Sequence, residues 1–350
     1  MREIKIDKHI IGQDHKPFVI AEMSGNHNQS LDRALEIVEA AAQAGAHALK
    51  LQTYTADTMT IDARGGLFEI NDKESLWYGK NLYELYNEAH TPWDWHKPIF
   101  ERAHALGLTV FSTPFDETSV DFLEELGVSA YKIASFENTD LPLLGKVAQT
   151  GKPVILSTGA ATLADLEEAV STLRENGCED FVLFKCTSTY PASASNTNLL
   201  TIPHLSQLFD CPVGLSDHTM GIGVSVASVA LGARVIEKHF TLSRADGGVD
   251  SAFSMEPLEM RNLVEESERA FLALGKVQYG VQSAENESLA FKRSVYAVKD
   301  IEEGEILTKE NIRVIRPGDG LKPKYFEFAL GKRAKQKIPF ATPLSFSFFE

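Results

Sequence analysis

Two histidines in the stretch 212–240 have the residue type and the spacing that metal chemistry requires. The stretch reads PVGLSDHTMGIGVSVASVALGARVIEKHF: one apolar run ends at His218, a small-residue segment follows, and a second apolar run ends at His239. This order predicts strand, helix and strand, and a right-handed βαβ unit brings the carboxyl ends of its strands to one edge. Two neutral imidazoles there suit a divalent metal with open coordination positions. The alternative is that they are two unrelated histidines at strand ends.

The elements that would position this pair recur along the chain. Eight short apolar, β-rich runs are present, at 17–24, 47–54, 108–115, 130–135, 153–159, 181–188, 212–218 and 233–240. Helical patterns separate them, and the clearest is SLDRALEIVEAAAQAG, in which Ser30 is a plausible N-cap and Gly45 a plausible stop. Further helices are expected at 95–107, 117–127, 140–150, 162–177, 221–232 and 256–274, and a weaker pattern covers 198–209.

Eight strands alternating with helices predict an α/β fold, a (β/α)8 TIM barrel. No GxGxxG or GxxxxGK motif follows the first strand, which argues against the usual nucleotide-binding folds. In a barrel of this kind the active site forms at the carboxyl ends of the strands. The chain therefore has a single edge at which its polar strand-end residues are expected to meet.

Those strand ends are rich in polar side chains. They include Glu22, Lys50, Gln52, Ser112, Thr113, Lys132, Ser135, Ser157, Thr158, Lys185, Thr187, Ser188, Ser216, Asp217, His218, Lys238 and His239. Barrel interiors are normally apolar, and burying an unpaired ammonium costs several kcal/mol. Four strand lysines interleaved with hydroxyls therefore predict a cradle for phosphate or carboxylate. For Lys238 the alternative is a structural ion pair with Glu237 or Asp217.

Two segments interrupt the barrel pattern. Residues 55–92 form a long insertion after the second strand, with aromatic residues that either cover a pocket or pack the insertion down. Barrel periodicity stops near residue 276, and a polar stretch precedes a β-rich C-terminal part with a quasi-repeat. We expect a catalytic barrel over 1–276, a linker over 277–293 and a small domain over 294–350, which has too few residues for a large core of its own.

Composition excludes several classes of function. The formal charge of −15 argues against a nucleic-acid surface or an anionic membrane surface. The three cysteines lack metal or disulfide spacing, the first ten residues are charged rather than a signal peptide, and no apolar window is long enough to span a bilayer. Together these features predict a cytoplasmic protein that binds neither nucleic acid nor membrane.

An anion cradle beside a divalent metal suggests a phosphorylated or carboxylated substrate and an electrophile polarised by the metal. A Schiff-base aldolase using one lysine is the next alternative, although it leaves the two histidines unexplained. A zinc hydrolase ranks third, because the first strand ends in AEMSGNH and lacks an HxH pair. A sugar-binding or ice-binding protein without catalytic activity is a fourth, and it leaves the polar rim unexplained.

The motifs AEMSGNHNQSLDRA, KLQTYTADTMT, FSTPFD, YKIASFENTD, STGAAT, KCTSTYP, GLSDHTMG and IEKHFT resemble the sialic acid synthase family over nearly the whole chain. The sequence RPGDG resembles that family's antifreeze-like (SAF, β-clip) domain. The resemblance implies a transferase that condenses phosphoenolpyruvate with an N-acetylated amino sugar and releases phosphate. Within the family, LQTYT, SFEN, KCTSTYP and RADGGVDSAFSMEP resemble the pseudaminate branch. Ser188 stands where the N-acetylneuraminate branch typically has Asn. The implied acceptor is then 2,4-diacetamido-2,4,6-trideoxy-L-altrose, with legionaminate synthesis as the nearest rival.

The resemblance also implies roles for individual residues. His218 and His239 would hold a divalent metal, typically Mn²⁺ or Mg²⁺ and possibly Co²⁺, and Glu22 would handle a proton. Phosphoenolpyruvate would be held by Lys50, Thr113, Lys132, Ser135, Ser157, Ser188 and Ser216. The acceptor would meet Glu22, Gln52, Tyr190 and Asp250, with Glu137 near the reacting centre; for Tyr190 the alternative is a role in the loop turn alone. Arg316 would reach the acceptor of a partner subunit, which implies a domain-swapped homodimer.

Overall fold

The computed structural model describes residues 2–350, which form two compact units that divide after Gly275. The first unit opens with an antiparallel hairpin of β1 (Ile4–Ile6) and β2 (His9–Ile11), which the apolar runs did not predict. The strands that follow are β3 (Phe18–Glu22), β4 (Ala48–Thr53), β5 (Thr109–Pro114), β6 (Tyr131–Ile133), β7 (Val154–Ser157), β8 (Phe181–Cys186), β9 (Val213–Ser216) and β10 (Val235–His239). They are parallel and close in the order β10-β3-β4-β5-β6-β7-β8-β9, so the predicted eight-stranded barrel is confirmed.

Helices pack around the outside of this barrel, except for two short ones within residues 55–92 that line a cavity at the carboxyl ends of its strands. The helices are α1 (Leu31–Gln43), α2 (Ala56–Met59), α3 (Leu82–Ala89), α4 (Trp93–Ala105), α5 (Glu117–Leu126), α6 (Leu141–Gln149), α7 (Leu163–Glu175), α8 (Thr201–Phe209), α9 (Gly223–Ala230) and α10 (Pro257–Leu274). Ser30 caps α1 by accepting the N–H of Arg33, and the chain leaves the helix through Gly45 at φ 83°, as expected. The weak pattern at 198–209 does form a helix, and helices α2 and α3 lie inside the insertion, where none was predicted.

Strand alternation decides which side chains enter the barrel. Along β10, Glu237 and His239 point toward the barrel axis while Lys238 points away, since successive side chains face opposite sides of a strand. Outward-facing apolar side chains such as Val19, Leu49, Val110 and Ile236 are fully buried beneath the helices. The polar residues at the carboxyl ends are therefore held by a rigid core directly below them. None of the helices in residues 2–350 has the length and apolar character that crossing a bilayer requires.

The second unit, Lys276–Glu350, has its own small core. Strands β11 (Ser294–Ala297) and β12 (Ile312–Ile315) pair antiparallel, and isolated bridges such as Ile301 to Ile338 connect the remaining loops. A short helix, α11 (Phe326–Ala329), follows β12 and precedes the C-terminal segment. The buried side chains Val295, Leu307, Ile312 and Ile338 hold this unit together.

Candidate active site

A cavity of about 460 Å³ lies at the carboxyl ends of the barrel strands. Glu22, Ser157, Ser216 and His239 are the last residues of their strands, and all four line it. Most of the site residues suggested by the sequence also line this cavity. They are Lys50, Gln52, Thr113, Lys132, Ser135, Glu137, Tyr190, His218 and Asp250.

His218 and His239 face each other across this cavity, with ring centroids 5.4 Å apart. His218 Nδ1 lies 3.0 Å from the carbonyl oxygen of Thr187, a contact that fixes the ring and leaves Nε2 toward the cavity. His239 Nδ1 is buried without a hydrogen-bond partner, 3.7 Å from a carboxylate oxygen of Asp250. Burial, followed by the charge of His218, holds the pKa of His239 well below its usual value, so this ring stays neutral.

These observations fit a divalent cation held by two imidazoles. A neutral, buried imidazole with an unsatisfied nitrogen is suited to bind a metal ion, and a carboxylate lies beside it. Within residues 2–350, no cluster of three or more His, Cys, Asp and Glu side chains has metal-binding geometry. A cation held by these two imidazoles would take its other ligands from neighbouring groups, substrate or water.

Cys186 lies next to this histidine pair and was not anticipated from the sequence. Its Sγ is 4.0 Å from His218 Nδ1 and 3.7 Å from Ser188 Oγ. Burial would raise the pKa of the thiol, but His218, Ser135 and Lys132 together outweigh burial and lower it to about 7. Burial would likewise lower the pKa of His218, but Cys186, the backbone of Thr187 and Glu22 together outweigh it and raise the pKa of the ring.

Lys132 is a buried ammonium without a carboxylate in contact. Lys132 is only 2% exposed, and its Nζ donates to Ser157 Oγ at 2.7 Å and to the carbonyl of Ile133 at 3.0 Å. No carboxylate of residues 2–350 forms an ion pair with it, and burial lowers its pKa. Such a cation is costly in an apolar interior unless an anion joins it. Together with the hydroxyls of Ser135 and Ser157, it makes a binding position for phosphate or carboxylate.

Ser188 does not line the cavity directly but stands behind this anion position. A Cβ built on Gly159 would overlap Ser188 Oγ and lie 2.5 Å from Ser135 Oγ. The backbone at Gly159 therefore passes tightly between two hydroxyls, and a side chain there would have to displace one of them. Arg316 belongs to the second compact unit, where it follows β12.

Lys50, by contrast, is fully paired. Its Nζ lies 2.7 Å from Glu22 Oε2 and 3.6 Å from Glu237 Oε2, and it also contacts Thr113 Oγ1 at 3.2 Å. Burial would lower the pKa of Lys50, but the two carboxylates outweigh it and raise the pKa. The same pair, with Gln52 Nε2 donating to Glu22 Oε1 at 2.7 Å, keeps the pKa of Glu22 below its usual value despite burial. Glu22 is therefore ionised.

Two other carboxyl groups behave in the opposite way. Burial raises the pKa of Glu137 to about 7 and that of Asp250 to about 6. One oxygen of Glu137 is buried without a hydrogen-bond partner, and Asp250 accepts a hydrogen bond from Ser24. Carboxyl groups with pKa values pushed apart in one cavity are typical of acid–base chemistry. Here Glu22 is ionised, while Glu137 and Asp250 can each take up or release a proton near neutral pH.

The predicted cradle of four strand lysines is wrong in two of its members. Lys238 points away from the cavity and binds Asp217, with an Nζ to Oδ2 distance of 3.2 Å. Lys185 donates to the carbonyl of Cys186 at 2.8 Å and to Thr187 Oγ1 at 3.1 Å. Each lysine stands next to an inward-pointing neighbour, Cys186 or His239, and adjacent side chains on a strand cannot face the same side. The expectation of a structural partner for Lys238 is confirmed for Asp217.

The aromatic residues of the insertion at 55–92 have both of the expected roles: some cover the cavity and others pack the insertion down. Trp77 and Tyr86 line the cavity, and the Trp77 ring lies 6.0 Å from that of Tyr190. Tyr190 also packs 4.6 Å from the His218 ring, so it lines the cavity as well as shaping its loop. Tyr83, in contrast, does not line the cavity and donates to Asp57 Oδ1 at 3.0 Å within the insertion, and Tyr78 is exposed.

Several cavity residues were missed by the sequence reasoning. Glu237 and Cys186 are two that strand parity identifies, since Glu237 lies two residues before His239 and Cys186 ends β8. Ser24 and the apolar side chains Met59, Ile70, Leu82, Leu85, Phe115, Phe136 and Val249 also line the cavity. They come from loops whose paths over the barrel have no simple sequence pattern.

Comparison with known proteins shows the family to which the chain belongs. Residues 37–279 match the NeuB family and residues 292–350 match the SAF domain. Pseudaminic acid synthase of Campylobacter jejuni serotype O:2 is 43% identical over 331 residues, which cover 95% of this chain and 96% of that protein. N,N'-diacetyllegionaminic acid synthase of the same strain is 38% identical over 327 residues, covering 91% of this chain and 96% of that protein.

A solved structure supports the same assignment. The N-acetylneuraminic acid synthetase of Leptospira borgpetersenii, determined with citrate, superposes with a TM-score of 0.73 at 34% identity, over 82% of this chain and 95% of the other. The family resemblance of the sequence motifs and the expected SAF domain are both confirmed. The chain belongs to the NeuB family and carries a C-terminal SAF domain.

Proposed function

We propose that this protein is a pseudaminic acid synthase, a transferase that condenses phosphoenolpyruvate with 2,4-diacetamido-2,4,6-trideoxy-L-altrose to give pseudaminic acid and phosphate. The observation that carries the proposal is the buried, unpaired ammonium of Lys132 in the same cavity as the two facing imidazoles. An anionic substrate would neutralise the charge of Lys132. The second substrate, with which it reacts, would lie at His218 and His239. The sequence match to a pseudaminic acid synthase supports the choice of sugar.

The anion position is formed by Lys132, Ser135 and Ser157. Hydroxyls and an ammonium donate to phosphate or carboxylate oxygens, and charge-assisted bonds of this kind are roughly twice as strong as neutral ones. Thr113 and Ser216 extend the set of donors, and Ser188 supports it through its contact at Gly159. Holding both reactants in one cavity contributes to the rate through orientation.

Lys50 has a different part in the reaction, because its charge is already balanced by Glu22 and Glu237. It keeps Glu22 ionised and in place, and Gln52 holds the second oxygen of that carboxylate. Glu22 Oε2 lies 3.9 Å from His239 Nε2, close to where the aldehyde would react. An ionised carboxylate accepts a proton, so we assign Glu22 as the base and Glu137 or Asp250 as groups that give up a proton near neutral pH.

In the reaction, C3 of phosphoenolpyruvate forms a bond to the aldehyde carbon of the open-chain sugar. Water adds at C2, and the bond between C2 and the phosphate oxygen then breaks. His218 and His239 would hold the divalent metal, for which we propose Mn²⁺ or Mg²⁺. Bound there, the cation would act as a Lewis acid toward the aldehyde oxygen. Lys132 would keep the departing phosphate neutralised.

We also propose that the barrel, residues 1–276, carries the chemistry and that the SAF domain, residues 294–350, serves a partner subunit in a homodimer. Arg316 would bind the N-acyl group of the acceptor in the partner's cavity. The RPGDG motif within a matched SAF domain supports this assignment. Mixing Arg316→Ala with His239→Ala protein tests it: subunit exchange should restore part of the activity, because one of the two sites in each mixed dimer then contains both residues. No recovery in mixtures with proven exchange would contradict the swap.

Phosphate release tests the function directly. The enzyme should release phosphate from phosphoenolpyruvate with the L-altrose sugar, and more slowly with its legionaminate-type isomer or with N-acetylmannosamine. Lys132→Met should abolish release, whereas Lys152→Met, which removes a lysine bound to Glu124 outside the cavity, should leave it unchanged. Equal phosphate release by Lys132→Met and Lys152→Met would refute the role of Lys132.

A Schiff-base aldolase is the second candidate, because burial lowers the pKa of Lys132 as that chemistry requires. The two proposals differ in a covalent intermediate. Borohydride should trap no adduct on Lys132 in the presence of substrate if the synthase proposal holds. A trapped adduct of substrate mass would favour the aldolase.

A further inference from the structure

The cavity has two chemically opposite sides. The barrel side supplies the charged and hydroxyl groups described above. The facing wall comes from the insertion at 55–92 and is apolar, with contributions from Met59, Ile70, Trp77, Leu82, Leu85 and Tyr86. Phe115 and Val249 continue this wall beyond the insertion. A substrate that reacts at the barrel side and extends toward the insertion would place its distant end against these mostly apolar side chains.

The apolar character of this wall is selective rather than general. The insertion contains ten charged residues, and none of them lines the cavity. In α3, Leu82, Leu85, Tyr86 and Ala89 recur at helical spacing and face the cavity. Glu84 lies on the other side, where it pairs with Arg64 at 2.5 Å. The sequence of the insertion thus separates its charges from the cavity completely.

Trp77 adds to this wall without adding a free donor. Its indole N–H donates to the carbonyl oxygen of Val249 at 2.9 Å. The bond ties the insertion to the loop that carries Asp250 and leaves the ring of Trp77 toward Tyr190. The only N–H of this large side chain is therefore already used, and its contribution to a ligand is its aromatic face.

We propose that this wall, above all Met59 and Leu82, is a specificity determinant that selects acceptor sugars whose end remote from the aldehyde carries methyl and acetyl groups instead of hydroxyls. The inference rests on the proposed function and deepens it. A methyl group gains contacts against this surface, whereas a hydroxyl loses its water and finds no partner. Apolar pockets reject a polar isostere by about 100-fold, which sets the expected preference for a trideoxy sugar.

The wall distinguishes substrate classes, not stereoisomers. Both the L-altrose sugar and its legionaminate-type isomer are trideoxy sugars with two acetamido groups, so both should be favoured over N-acetylmannosamine, which keeps its hydroxyls. The measured quantity is the ratio of kcat/KM for a trideoxy diacetamido sugar to kcat/KM for N-acetylmannosamine at saturating phosphoenolpyruvate. For the unaltered enzyme we expect a ratio of about 100.

Two near-isosteric substitutions make the wall polar. Leu82→Asn and Met59→Gln should each lower that ratio about 10-fold or more, while the KM for phosphoenolpyruvate stays within about 2-fold. Leu67→Asn is the matched control, since Leu67 lies in the same insertion but is 94% exposed and does not line the cavity. Met59 lies at the end of α2 and Leu82 at the start of α3, so the two variants test separate places on the wall.

The outcomes separate this inference from the function on which it rests. A lower ratio in both wall variants and an unchanged ratio in Leu67→Asn would support the inference. An unchanged ratio in Met59→Gln and Leu82→Asn, or an unaltered enzyme that prefers N-acetylmannosamine, would overturn it while phosphate release still upholds the synthase. No phosphate release with any sugar would overturn both.

Discussion

Replacing Lys238 by methionine should destabilise the barrel unit by about 3 kcal/mol, because it strands the carboxylate of Asp217 in the core. The two side chains are 1% and 0% exposed, and their charged atoms lie 3.2 Å apart. Each residue immediately precedes a histidine of the site, His239 or His218. On the side facing away from the cavity, this ion pair therefore links the two chain segments whose following residues, His218 and His239, face the cavity.

The magnitude follows from what remains after the substitution. Removing one partner of a buried ion pair costs about 3–5 kcal/mol. Asp217 keeps hydrogen bonds from the N–H and hydroxyl of Thr219 at 2.9 and 2.8 Å and from Ser225 Oγ at 2.6 Å, which places the loss at the lower end. The carbonyls of Thr219 and Gly221 lose the ammonium as their donor. Asp217→Asn combined with Lys238→Met removes both charges and should recover about 2 kcal/mol.

Urea unfolding followed by tryptophan fluorescence is a suitable assay. Trp77, Trp93 and Trp95 are the three tryptophans of the chain, and all lie in the first compact unit, so the fluorescence reports on the barrel alone. Lys16→Met is the control, because it breaks an exposed ion pair with Glu268 at 2.5 Å. An exposed pair contributes about 0–1 kcal/mol.

Metal affinity provides a second measurement for the same variant. If the pair positions His218 and His239, Lys238→Met should weaken Mn²⁺ binding about 10-fold or more, as loss of a supporting contact typically does. The reasoning is refuted if Lys238→Met loses no more stability than Lys16→Met. It is also refuted if the double variant is less stable than Lys238→Met alone.

Three further predictions concern the cavity. Burial raises the pKa of Glu137 to about 7, so the folded state loses stability relative to the unfolded state as pH rises from about 4.5 to 7. The stability of Glu137→Gln should therefore gain about 2 kcal/mol over that of the unaltered protein between pH 5 and pH 8. A pH-independent difference in stability would contradict this. Gly159→Ala should raise the KM for phosphoenolpyruvate about 10-fold by pushing on Ser188, whereas Gly223→Ala, which meets nothing within 4 Å, should not; equal KM values would remove Ser188 from the argument. His239→Ala should weaken Mn²⁺ binding more than about 100-fold by electron paramagnetic resonance while circular dichroism stays native, and unchanged affinity would exclude it as a ligand.

The barrel could be predicted because its determinants are local. Each strand is a short apolar run of β-forming residues, and each helix has its own periodicity and caps, such as Ser30 at the start of α1. The hairpin at 4–11 escaped because its strands have three residues each, too few for a periodic pattern. Helices α2 and α3 were missed within the insertion because they are short segments between turns.

The cavity residues were predictable to the extent that strand ends converge in a barrel. The same rule failed for Lys185 and Lys238, because position at a strand end was considered without the direction in which the side chain points. Counting alternate residues back from His239 excludes Lys238 and selects Glu237. The ion pairs of Lys50 with Glu22 and Glu237 then follow, because three neighbouring strands aim these side chains at one point.

The sequence by itself determined the eight strands, their order, the histidine that ends β10, the histidine that follows β9, and membership of a family whose motifs span the chain. These depend on periodicity and on residue types close together in the chain. Only the tertiary structure decided which lysine is neutralised and which is not. Among the described residues, Lys50 forms ion pairs with two carboxylates and Lys132 with none, although both lysines line the same cavity. Charge balance inside a protein depends on distances of a few ångströms between distant parts of the chain, and folding alone sets those distances.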